Sequence, residues 1–154
     1  CCFVLSSFSQ KNLTITDLSE LKDVNSIKLD NNDFIGKYIL VFNIRNKSDI
    51  KVSAPYFKEV ASIYKNAFFN GIESKGLTVL FLVHNNKINH HEYPVFHNNK
   101  VIPYYSHNNS KILNFDKAIL KHQNVLINSH GKPIAFDFVP SDLRLDLTKY
   151  LKRE

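Results

Sequence analysis

The chain has 154 residues, of which 44% are hydrophobic and 22% charged, a size and balance suited to one globular domain with its own core and unsuited to wholesale disorder. The net charge is +6, but the basic residues are nearly all lysine, and arginine occurs only at Arg45, Arg144 and Arg153. No dense basic run interleaved with aromatics stands out, so the charge reads as a solvated surface and nucleic acid is set aside as a partner.

The only cysteines, Cys1 and Cys2, are adjacent and have no others to pair with. That removes a disulfide framework and the zinc patterns built on paired thiolates. Residues 1–10, CCFVLSSFSQ, read as the tail of a secretory signal. Cys1 to Leu5 end the apolar region, and Ser7 and Ser9 are the small residues before a cut at Gln10. The expectation is a signal remnant over 1–9, a single domain over 10–154, and an extracytoplasmic location, periplasmic or secreted. A first strand, a disordered arm or a lipidated Cys1 are the alternatives. Phe3-Val4-Leu5 is unlike the polar tether that follows a lipidated cysteine. No later stretch approaches the ~20 apolar residues of a membrane span.

Leu13 to Leu21 alternates weakly, as a short strand or a first helix turn. Ile27 and Leu29 flank Lys28 and predict an edge strand or hairpin, followed by a turn at Asn31-Asn32-Asp33. Tyr38 to Ile44, YILVFNI, is a nearly unbroken β-branched and aromatic run, which predicts a strand buried on both faces. The polar stretch from Arg45 to Asp49 follows, with Ser48 or Asp49 as the expected helix cap. Phe57, Val60, Ala61, Tyr64, Ala67 and Phe68 then recur at helical spacing, and Asn70-Gly71 predicts the stop.

Leu77 to Val83, LTVLFLV, predicts a second buried strand and hence a parallel crossover. Residues 84–109 are the least regular, with short strands expected around Val95-Phe96 and Val101-Ile102. Phe115 to Leu120 predicts a short helix and Val125 to Ile127 a third strand. Asn128-Ser129-His130-Gly131 predicts a tight turn into an antiparallel strand in which Ile134, Phe136 and Phe138 alternate with Ala135, Asp137 and Val139. Ser141 caps a final helix with Leu143, Leu147, Tyr150 and Leu151 on its apolar face.

This order, β-α-β, an irregular segment, then β-β-α, resembles the thioredoxin fold. It is similar above all to the TlpA-like and redoxin branch of thiol-disulfide proteins. Phe34-Ile35-Gly36-Lys37-Tyr38-Ile39-Leu40-Val41-Phe42 matches that branch's entry to its central strand, and Pro55 falls where its helix proline falls. Val125-Leu126-Ile127-Asn128-Ser129-His130-Gly131-Lys132 matches its hairpin. The resemblance implies an α/β, three-layer sandwich with a mixed central sheet flanked by helices.

Counted back from Pro55 without a gap, the family's Cys-x-x-Cys falls on Lys47-Ser48-Asp49-Ile50. Its preceding aromatic falls on Asn46, its following basic residue on Lys51, and its cis-proline near His122. Thiol exchange needs a thiolate, which neither Lys47 nor Ile50 supplies, and a peroxidatic step needs a cysteine that forms a sulfenic acid. Ser48 has no base beside it in sequence, so it reads as a cap and not as a nucleophile.

The leading expectation is therefore a redox-inactive, exported, thioredoxin-like domain that binds a protein or peptide where the dithiol used to be, with no cofactor. A TlpA-like oxidoreductase or peroxiredoxin relative is the alternative. Lys47, Ser48 and Lys51 at a helix start are weak candidates for holding a small anion. His84, His90, His91, His97 and His107 gather near Glu92. Their default is a polar surface loop; a copper or zinc carrier using His90, His91 and His97 is the third reading.

Overall fold

The computed structural model describes residues 21–51, 76–97, 100–106 and 117–137. The expected signal segment, most of the helix expected after residue 51 with Pro55, the start of the helix expected at Phe115, His107 and the expected final helix lie outside the described residues.

Strand β1, Tyr38–Ile44, is buried at all seven positions. It lies at the centre of a five-stranded sheet with β2, Leu77–Val83, on one side and β4, Asn124–Ile127, on the other. Strand β3, Lys100–Pro103, extends the sheet beyond β2, and β5, Pro133–Phe136, extends it beyond β4. β1, β2 and β3 run parallel, with Tyr38 opposite Leu77 and Leu80 opposite Lys100. β4 is antiparallel to β1 and β5 is antiparallel to β4.

Alternation along β1 divides the core in two. Tyr38, Leu40, Phe42 and Ile44 pack with Val79, Phe81, Val83 and Leu126, while Ile39 and Val41 pack with Leu80, Leu82, Val125 and Ile127. A helix, α1, opens over residues 47–51 and sends Ile50 into the first cluster. A second helix, α2, Lys117–Lys121, sends Ile119 into the other. The sheet is thus covered on both faces, which is why its central strands read as continuous apolar runs. Each such side chain contributes on the order of 1.5–3 kcal/mol on full burial.

The segment before β1 forms a tight turn closed by an antiparallel bridge between Lys22 and Lys28. The Asp23 carboxylate accepts from the Asn25 and Ile27 amides, and the Val24 amide donates to the Val101 carbonyl, so this turn shields the edge of β3. Leu29 is buried and Ile27 is exposed, because the bridge is too short to impose strand alternation.

Asn31–Asp33 is the expected turn, a 3-10 turn capped by the Asp30 side chain. Three local expectations change. Pro94–Phe96 is also 3-10 and not a strand; Pro94 sits at its start, where a missing N–H costs nothing. The register of β5 shifts between Leu126 and Ile127, so Ala135 enters the core and Phe136 faces outward, 42% exposed. The cap of α1 is Asn46, ahead of the expected Ser48 or Asp49. The β4–β5 turn is as the sequence predicts, with the Asn128 side chain accepting from the His130 and Lys132 amides and Gly131 at positive φ.

Candidate functional site

The carboxyl end of β1 runs directly into α1. The Asn46 side-chain oxygen accepts from the Ser48 and Asp49 amides at 2.9 and 3.1 Å, and from the Ser48 hydroxyl. In return the Asp49 carboxylate accepts from the Arg45 and Asn46 amides at 2.8 and 3.0 Å. This reciprocal pairing is a capping box with Asn and Asp in place of the usual Ser/Thr and Glu. It takes up amides that an anion at Lys47, Ser48 and Lys51 would otherwise use, and sets a carboxylate beside them. Lys47 lies 3.8 Å from Glu92, both well exposed, a contact worth little. Lys51 is exposed. We expect Asn46→Ala to lower stability by about 1 kcal/mol, read from urea unfolding, because two helix amides lose their acceptor.

Ile50 is 2% exposed. Lys47 and Ile50, the positions matched to the dithiol, are thus a solvated cation and a core aliphatic.

Behind the capping box lies a buried polar network. Asn43 is fully buried on an otherwise apolar strand. Its amide nitrogen donates to the Ile119 carbonyl at 2.9 Å and the His122 carbonyl at 2.8 Å. Its oxygen faces His84 Nε2 at 2.8 Å, so Nε2 must be the donor and carry hydrogen. The Arg45 guanidinium donates to the Leu120 carbonyl at 2.6 Å and the His122 carbonyl at 3.2 Å. Helix α2 therefore ends against two side chains of β1 and its exit, which satisfy carbonyls that a helix C-terminus leaves free.

The loop after α2, where the resemblance places a cis-proline, is held from its other side by Asp137. Its carboxylate takes the His122 ring at 2.6 Å and the Gln123 amide at 2.7 Å. No peptide bond among the described residues is cis.

Burial lowers the pKa of His84; Arg45 pushes the same way and Asp49 opposes. The folded protein thus prefers a neutral His84. Its contribution is fully present above the unfolded histidine pKa of about 6.5 and is lost as pH falls through the lower folded value. We expect the urea midpoint to fall between pH 7.5 and 5.5, and to fall less in His84→Gln. His90 is lowered in the same direction by burial and then by His91.

His90 and His91 have ring centroids 4.0 Å apart, and His97 is exposed two residues beyond Val95. Among the described residues no group of three or more His, Cys, Asp or Glu is placed to hold a metal ion. No helix among them is long and apolar enough to cross a membrane.

The sequence reading missed Asn43, Arg45 and Asp137. Asn43 had a signal, being the one polar side chain inside YILVFNI. Asp137 had none, since it reads as the solvent half of an alternating strand.

No family model matches the chain, and no curated protein matches it. Solved structures do. The chain superposes on the thioredoxin domain of a thiol-disulfide oxidoreductase from Bacteroides vulgatus with a TM-score of 0.59 at 19% identity, covering 85% of this chain and 91% of that one. The fold is thioredoxin-like. A thiol:disulfide interchange protein from a Bacteroides species gives 0.61 at 21%, covering 85% and 84%. The PrxQ of Xylella fastidiosa gives 0.58 at 12%, covering 86% and 89%. In this thioredoxin-like frame, the first turn of α1 and the loop at His122–Gln123 stand together at the carboxyl end of β1, joined through Arg45.

Proposed function

We propose that this chain is an exported, redox-inactive thioredoxin-like domain that binds a protein or peptide at the face made by the first turn of α1 and the His122–Gln123 loop. The observation that carries it is Ile50 in the core and Lys47 in solvent at the two positions matched to the dithiol. Exchange proceeds through attack of a thiolate on a disulfide sulfur, and neither side chain supplies one. The face is nonetheless kept rigid by the capping box and the Asn43 network, which lowers the ordering cost of binding.

Protein beginning at Gln10 should neither reduce insulin nor consume peroxide above the uncatalysed rate. Turnover in either assay overturns redox inactivity in favour of the oxidoreductase reading. Selection from a displayed library of extended peptides should enrich binders that shift the amide resonances of Lys47, Ser48 and His122. Failure to enrich any overturns peptide binding. Calorimetric titrations with copper and zinc should be flat, and a tight stoichiometric site would instead favour the metal-carrier reading on His90, His91 and His97.

A further inference from the structure

His122 is anchored at three points. Its carbonyl accepts from Asn43 and Arg45, its Nδ1 meets Asp137 Oδ2 at 2.6 Å, and its ring lies 4.5 Å from the ring of Phe136. Asp137 is itself anchored, with its second oxygen on the Gln123 amide and its own amide donating to the Asn124 carbonyl. It sits at φ 51, a left-handed conformation uncommon for a residue other than glycine. Backbone strain of this kind persists where surrounding contacts over-determine it, and it gathers at functional positions. Burial works against the ionised carboxyl, but the hydrogen bonds from His122, Gln123 and Asn124, with the charge of His122, hold the Asp137 pKa below its ordinary value. The carboxylate is therefore an acceptor at neutral pH, and Nδ1 of His122 must carry the hydrogen. That leaves the Nε2 lone pair without a partner among the described residues, on a side chain 34% exposed.

We propose that His122 and Asp137 form a polarised dyad whose Nε2 accepts the hydrogen bond of a hydroxyl or N–H group on a ligand bound at this face. A carboxylate on Nδ1 fixes the tautomer, aims the ring and strengthens Nε2 as an acceptor. Phe136 offers an apolar platform beside the same ring. The dyad stands on its own geometry; the assignment of its ligand rests on the peptide-binding reading above.

The test is the rate at which diethyl pyrocarbonate modifies each histidine at pH 7, mapped by mass spectrometry. Nε2 attacks a carbonyl carbon, ethyl carbonate leaves, and the Nδ1 proton passes to Asp137. The exposed His91, His97 and His130 are internal references. His122 should react at least as fast as these despite its partial burial. Asp137→Asn should slow it fivefold or more and leave the references unchanged. Asparagine also tolerates the left-handed conformation, so the turn is kept. A merely structural hydrogen bond would change stability without changing this ratio. A His122 slower than the references, or indifferent to Asp137→Asn, overturns the dyad. So does an ¹⁵N spectrum of the wild type placing the hydrogen on Nε2.

For the ligand, His122→Gln should weaken selected peptides about tenfold. Peptides that bind His122→Gln unchanged overturn this inference and leave the binding module standing. A reactive His122 with no selected peptide upholds the dyad and overturns the peptide reading alone.

Discussion

Replacing Asn43 with leucine lowers the unfolding free energy by about 3 kcal/mol. Asn43 makes three side-chain hydrogen bonds from a fully buried position, two to carbonyls and one from His84. Leucine fills the space but satisfies none of them. Each buried bond contributes about 1 kcal/mol net, and each orphaned buried group costs roughly 1–3 kcal/mol. The His122 carbonyl keeps its weaker Arg45 contact, while the Ile119 carbonyl and the His84 N–H lose the Asn43 side chain. Against a typical total of about 5–15 kcal/mol this is a large loss. Urea unfolding at pH 7.5 reads it. Asn43→Asp should be worse, because a carboxylate would face two carbonyl oxygens with no hydrogen to offer. A loss below about 1 kcal/mol in Asn43→Leu would mean that Arg45 and Asp137 hold the loop without help.

The second large effect is a gain. The double variant Lys47→Cys/Ile50→Cys should form a disulfide and reduce insulin at least tenfold above the wild type with dithiothreitol as electron source. Two positions three apart in a helix have Cβ atoms about 5–6 Å apart, close enough for small rotations to bring them into bridging range. A helix N-terminus favours the thiolate of the first residue. The second replaces a buried isoleucine, so some stability is lost, on the order of 1–3 kcal/mol. Thiol titration before and after reduction reads the bridge, and insulin turbidity reads the activity. A bridge without activity would place the remaining block at the loop, where His122 stands at the position matched to a proline. In protein beginning at Gln10, which lacks Cys1 and Cys2, two free thiols would mean that α1 does not bring positions 47 and 50 within bridging range.

Much of the scaffold was legible beforehand. YILVFNI and LTVLFLV could be satisfied only as strands covered on both sides, and both are. The hairpin at Asn128–Gly131 followed from side chains that close turns locally. Errors arose where two local signals competed. Ser48 and Asp49 both have cap chemistry, yet Asn46 took the role because β1 ends at Ile44 and the helix opens at residue 47. Pro94 turned an apolar pair into a 3-10 turn. The register shift opposite Ile127 broke the expected alternation, so Ala135 entered the core and Phe136 was left exposed.

The chain's own chemistry determined that no thiol lies between Lys47 and Ile50, and that the central strands would be buried. Both follow from residue identity and short-range pattern. Only tertiary folding decided that Asn43 would meet the His122 carbonyl, 79 residues away, and that Asp137 would reach the ring of the same histidine. A hydrogen-bonding side chain carries no record of its distant partner. Which groups must be satisfied inside the protein is set when packing removes the water that would otherwise serve them.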